Sequence, residues 1–417
     1  MTTKKFRAPL TVALLAAAST ALLAFPAYAA GPKLSKGVNN ALAKEQKDFA
    51  AGAADNYKAA ADDIAAARAV DGRTPEDDYW INKMDINVQI KTNNLAAAAT
   101  DAEAAADSSA LPPEDKVEML RLALILSNNQ KQTDKALTYA KAMQATNPTD
   151  PAVLNNITVA YFNAKDFQDA EGLIQKQIDA DTAAGRKPSR EALQNLLDIQ
   201  VAQKDEGGAE KTLETLVADY NDPKDWTQMI DVAISSKGIR DVEVIWLGRL
   251  MFAVGATASA QDANMFGQTA SHDTFFGDAV VAQQHGGTGF PDATARADAD
   301  KKTIPQQIAA GQKQGGQYNA KLAEALYSYG MYPEAQAAAE LAMSKGGATD
   351  ASEAPMVLGQ SLVAQGKYDE AVAAFGKVTG GGPATQRITR LWVAYANIKK
   401  NPPSQAAAAA PAPAPAK

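Results

Sequence analysis

Apolar residues recur along most of this chain at three- and four-residue intervals, and the runs come in pairs separated by short polar breaks. The clearest pair is APMVLGQSLVAQGKYDEAVAAFGKV, Ala354–Val378. Leu358, Gly359 and Leu362 fall on one face of a first helix, Ala371 and Phe375 on one face of a second, and Gly366-Lys367 makes the turn. Small residues stand where the two helices must approach closely. The position that opens the second helix can be followed through the chain as Ala136, Ala170, Ala209, Glu243, Ala279, Ala335 and Ala371. Successive steps are 34, 39, 34, 36, 56 and 36 residues, and TAAGRKPS is the extra loop in the second. The long step equals one unit plus roughly 20 residues. That excess falls in a Gly-, Asp- and Ala-rich insertion at about 286–316, read as loop with a short helix. Upstream, Trp80, Met84 and Val88 with Leu95-Ala96-Ala97 suggest a unit over Tyr79–Ala106, and Val38–Ala69 holds another. No alternating strand pattern bounded by turn residues interrupts the series.

After Gly380–Gly382, Ile388, Leu391, Trp392, Tyr395 and Ile398 mark one more amphipathic helix. Repeat arrays need an end unit with a polar outer face, and Arg387, Arg390, Lys399 and Lys400 would supply it.

The spacing of Leu358-Gly359, Leu362, Gly366, Tyr368, Ala371 and Phe375, with the alanine ladder, resembles the tetratricopeptide repeat (TPR), of period about 34 residues. The resemblance covers roughly 350 residues. It implies an all-α, right-handed superhelical solenoid of about eight or nine degenerate TPR-like helix-turn-helix repeats with a C-terminal capping helix. Thr158 and Leu197 stand where the family has a small residue, and Glu243 replaces an alanine, so those units depart from the pattern. Carried over position by position, the family's concave wall falls on Arg121, Asn128, Asn155, Phe162, Gln194, Asp198, Gln228, Asn264, Gln268, Glu324, Tyr327 and Gln360. This wall is rich in amides, which both donate and accept, and suits an extended peptide backbone or a sugar. With Arg121 its only cation, it does not reproduce the family's basic clamp for acidic C-termini.

The first 29 residues read as a Sec-type signal peptide: Lys4, Lys5 and Arg7, an apolar stretch Leu10–Phe25, and Ala27-Tyr28-Ala29 with cleavage expected after Ala29. A membrane anchor is the competing reading, and no later run is long and apolar enough to span. The expected organisation is leader 1–29, solenoid 30–400, and an Ala/Pro-rich disordered tail 401–417. The tail would favour extended polyproline II at ~3.1 Å per residue. The chain has no cysteine, so neither disulfides nor a lipidated cysteine can form. It carries 41 basic and 48 acidic residues, an acidic balance that argues against a nucleic-acid partner.

Signatures of catalysis are lacking. His272 and His285 are the two histidines; their spacing of 13 matches no metal motif and no cysteine is available to complete a zinc site, so although the pair could bind an ion with Asp273 or Asp278, no metal or cofactor is expected. Gln284-His285-Gly286-Gly287 resembles an esterase oxyanion loop, but no G-x-S-x-G elbow accompanies it. The expectation is a non-enzymatic scaffold, periplasmic or secreted, binding a protein or peptide in its groove during envelope biogenesis, secretion or polymer export. A carbohydrate- or peptidoglycan-associated binding protein is the alternative, and a hydrolase with an unrecognised site in the insertion is a minor one.

Overall fold

The computed structural model describes residues 33–402, apart from Ala258. The expected leader, and all but the first two residues of the expected tail, lie outside the described residues. Within them the secondary structure is helical throughout, with 21 α-helices and no strand. The chain divides into two compact units, one through Asp205 and one from Glu206, where the sequence pattern reads as a single array.

The first unit holds α1 (Lys36–Ala50), α2 (Ala54–Arg68), α3 (Pro75–Lys91), α4 (Leu95–Ala106), α5 (Lys116–Asn129), α6 (Thr133–Gln144), α7 (Pro151–Asn163), α8 (Phe167–Ala183) and α9 (Arg190–Gln203). Each helix packs on the next, and α5 also meets α7. The second holds α10 (Glu206–Tyr220), α11 (Pro223–Ile234), α12 (Asp241–Ala253), α13 (Ala260–His272), α14 (Phe276–Gln284), α15 (Ala293–Lys301), α16 (Ile304–Gly311), α17 (Gly316–Ser328), α18 (Tyr332–Lys345), α19 (Glu353–Ala364), α20 (Tyr368–Phe375) and α21 (Gly382–Lys400). The insertion therefore contains two short helices, α15 and α16, rather than one.

The seven positions of the ladder are all buried, from Ala136 at 1% exposed to Ala371 at 0%, and Glu243 at 1% takes its place with them. Each lies within the first turn of its helix, where the two helices of a pair converge. Gly359 shows why small residues are needed there: a Cβ on it would come within 2.3 Å of the Phe375 ring. Thr158 is accommodated at 0% exposed because its hydroxyl donates back to the Leu154 carbonyl at 2.9 Å.

The helix-to-helix turns repeat as faithfully as the alanines. Gly52, Asn93, Lys131, Lys165, Lys204, Thr274, Gly330 and Gly366 each have positive φ and each lies two residues before the following helix. In seven of these turns the next N–H reaches back five residues to a carbonyl, as in Asn94 to Gln89 at 2.7 Å and Lys367 to Leu362 at 2.9 Å. This is the Schellman closure, which satisfies helix-terminal carbonyls through one left-handed residue. Prolines and capping side chains start several helices: Thr74 and Asp77 form a reciprocal box ahead of Pro75, and Asp150 and Asp222 cap before Pro151 and Pro223.

The last helix does more than cap. Trp392 of α21 lies against Phe375 of α20, with ring centroids 6.2 Å apart. The same helix packs on α10, α11 and α12 at the start of the second unit. Trp392 Nε1 donates to the Trp246 carbonyl at 3.2 Å and Tyr395 Oη to the Ala253 carbonyl at 2.8 Å. Arg390 pairs with Glu214 at 2.6 Å and Arg387 pairs with Glu210. Arg387 and Arg390, expected on a free outer face, thus tie the end of the unit to its beginning.

Candidate binding surfaces

In the first unit the expected wall is carried by α5, α7 and α9. Two of its amides are structural. Asn128, 3% exposed, donates through Nδ2 to the Asn156 carbonyl at 2.9 Å and links α5 to α7. Asn155, 6% exposed, donates to Glu191 Oε1 at 2.7 Å and accepts from Asn195 Nδ2 at 2.5 Å, linking α7 to α9. The side chains that retain solvent access are Arg121, Phe162, Gln194 and Asp198. Gln194 is exposed; the other three are half-buried. Arg121 is steadied by a two-pronged pair with Glu118 at 2.6 and 2.8 Å, and Phe162 rests against Phe167 with ring centroids 5.5 Å apart. Burial raises the Asp198 carboxyl to about 7, so this group changes charge near neutrality.

In the second unit the expected groove is filled from within. Arg249 of α12, itself buried, reaches three other helices. It donates to Asp278 of α14 at 2.7 Å, pairs with Glu324 of α17, and donates to Gln360 Oε1 of α19 at 3.0 Å. Trp246 Nε1 adds a bond to Glu324 at 2.9 Å. The guanidinium carbon stands 4.3 Å from the centroid of the half-buried Tyr327 ring. Burial alone would lower the Arg249 pKa, but Asp278 and Glu324 outweigh it and hold the pKa raised. Burial conversely raises Asp278 against the pull of Arg249. Glu324 and Gln360 are 0% exposed and engaged by Trp246 and Arg249 of α12, so these two positions do not line an accessible groove. The sequence signal for this was an arginine inside the apolar run VEVIWLGRLMFA. Gln228 on α11 is half-buried.

A cleft of about 330 Å³ does open beside α13. Gln268, Ser271 and His272 line one side, and Gly289, Phe290, Pro291, Asp292, Ala293 and Arg296 the other. The start of the insertion is held there by side-chain contacts. Phe290 seats on Gly267, where a Cβ would meet its ring at 2.1 Å, and Asn264 accepts from the Thr288 backbone. Gln283 Nε2 donates to the Phe290 carbonyl at 2.9 Å. Arg296 lies over the Phe276 ring, 4.8 Å from its centroid. Asn264 is therefore engaged in fixing the loop, whereas Gln268 is exposed on the cleft wall. His285 stacks on Phe252 with ring centroids 4.2 Å apart, and Asp278 is taken up by Arg249. His272 lies beside Asp273, 3.1 Å from its carboxylate, with Asp241 of α12 at 4.0 Å.

Paired helices, recurring Schellman turns and buried alanines define an α-helical repeat protein of the solenoid class. No family model matches the chain, and no curated protein matches it. Among solved structures it is similar to the TPR2AB-domain:pHSP90-complex of yeast Sti1, at 13% identity and a TM-score of 0.26. That likeness covers 68% of this chain and 99% of the other. No described helix is long and apolar enough to cross a membrane.

Proposed function

We propose that this protein is a non-enzymatic TPR-like scaffold that binds an extended protein or peptide partner along α5, α7 and α9 of its first unit. The observation that carries this reading is the set Arg121, Phe162, Gln194 and Asp198, which keeps solvent access on adjacent repeats while the neighbouring amides are consumed in holding those repeats together. An aromatic face, an amide and two ionisable groups in a row can pair with a peptide backbone and bury part of its side chains. The leader expected over residues 1–29 supports export, to the periplasm of a Gram-negative bacterium or beyond it, and a role in envelope biogenesis, secretion or polymer export. The test uses a triple variant, Phe162→Ala, Gln194→Ala and Asp198→Asn, beside the wild type. Cross-linking in the periplasm should join the wild type to a defined polypeptide, and the triple variant should lose that product while keeping its circular dichroism. A product retained at full yield by the variant would place binding elsewhere. Absence of the protein from the periplasmic fraction would refute the export reading separately.

A further inference from the structure

We propose that Asp241, His272 and Asp273 form a divalent transition-metal site, zinc foremost, that joins the start of α12 to the end of α13. Asp241 is the first residue of α12, His272 the last residue of α13, and Asp273 the C-cap that follows it. Two helix ends from adjacent repeats therefore fix the three backbones. The imidazole Nδ1 faces a carboxylate on each side, Asp273 Oδ1 at 3.1 Å and Asp241 Oδ2 at 4.0 Å. One donor atom from each residue lies within 4.8 Å of the other two. In a tetrahedral zinc site with bonds of ~2.0–2.2 Å, neighbouring donors stand about 3.4 Å apart, so small side-chain rotations bring all three onto one ion.

The donor chemistry narrows the ion. One imidazole with two carboxylates suits zinc and its first-row neighbours, whereas calcium and magnesium prefer all-oxygen sets. The site is open to solvent, with His272 79% and Asp241 66% exposed, so an ion reaches it directly and the exposed side chains are free to turn toward it. His272 also lines the cleft beside Gln268, Ser271 and Arg296. None of this depends on the peptide-binding surface of the first unit.

The experiment is calorimetric titration of tag-free, chelator-stripped full chain with zinc chloride. His272→Ala, Asp241→Asn and Asp273→Asn are titrated alongside, with His285→Ala as the control for the other imidazole. Because His272 and Asp241 are exposed, these variants should fold, which circular dichroism checks. The expected result is one ion per chain, binding weakened at least tenfold by each of the three site substitutions and unchanged by His285→Ala. Zinc should also raise the melting temperature of the wild type and leave that of His272→Ala where it was. No saturable one-to-one binding would overturn the proposal. So would binding that survives His272→Ala or Asp241→Asn, that is lost equally in His285→Ala, or that magnesium or calcium matches.

Discussion

Single side chains decide the stability of the second unit. Arg249 is enclosed with two carboxylates, and its five donors are aimed at Asp278, Glu324 and Gln360. Removing it strands buried carboxylates, so Arg249→Met should cost about 3–5 kcal/mol in urea unfolding. Adding Glu324→Gln should recover part of that loss; a single variant as stable as the wild type would show the network to be dispensable. In the first unit Glu45 is buried at 2% exposed, and burial, then Asp85 and Asp63, raise its carboxyl to about 8. The sign follows from proton binding: the folded state holds a proton that the unfolded chain gives up above its ordinary value of 4.5. Stability should therefore fall as pH rises from about 4.5 to 8. Melting curves across that range should show the decline in the wild type and a smaller one in Glu45→Gln. Parallel curves for the two proteins would contradict it.

Helices and turns show how far sequence carries. The alanine ladder was legible because a small residue at a helix crossing has one role, and all seven positions are buried. The turns were only half legible. Gly330 and Gly366 announce a left-handed residue, but Asn93, Lys131, Lys165, Lys204 and Thr274 adopt the same conformation without announcing it, because the Schellman bonds impose it. Thr274 is the most strained of these, being β-branched at φ 66°. Thr274→Gly should raise stability by about 1 kcal/mol in the same urea assay, and a loss of that size would contradict the strain. The wall was legible as a register and not as a surface. Offsets within a helix give the face on which Asn128, Asn155, Glu324 and Gln360 lie, but not the distant Asn156, Glu191 or Arg249 that engage them. The return of α21 to α10–α12 was hidden for the same reason: its apolar stripe reads alike whether one neighbour or five cover it. Deleting the chain from Arg387 onward would uncover Trp246 and Phe375 together. That truncation should aggregate on size exclusion, as a bared apolar patch does, while truncation from Asn401 should remain monomeric. A well-behaved longer truncation would mean that α21 is not needed to close its unit.

Across the whole molecule, the proposed binding falls to the open side chains of α5, α7 and α9 of the first unit. The second unit has its inner face taken up by Arg249, so the two units are not equivalent as binding surfaces. Asp198, raised to about 7 by burial, makes the first unit's surface responsive to pH near neutrality. The decisive measurement identifies the polypeptide that cross-links to the wild type and determines the purified partner's affinity for the wild type and for the Phe162→Ala, Gln194→Ala, Asp198→Asn variant. Saturable one-to-one binding that weakens at least tenfold in the variant, roughly 1.4 kcal/mol, with the helical circular dichroism retained, is the expected result. Equal affinity for both proteins would contradict it.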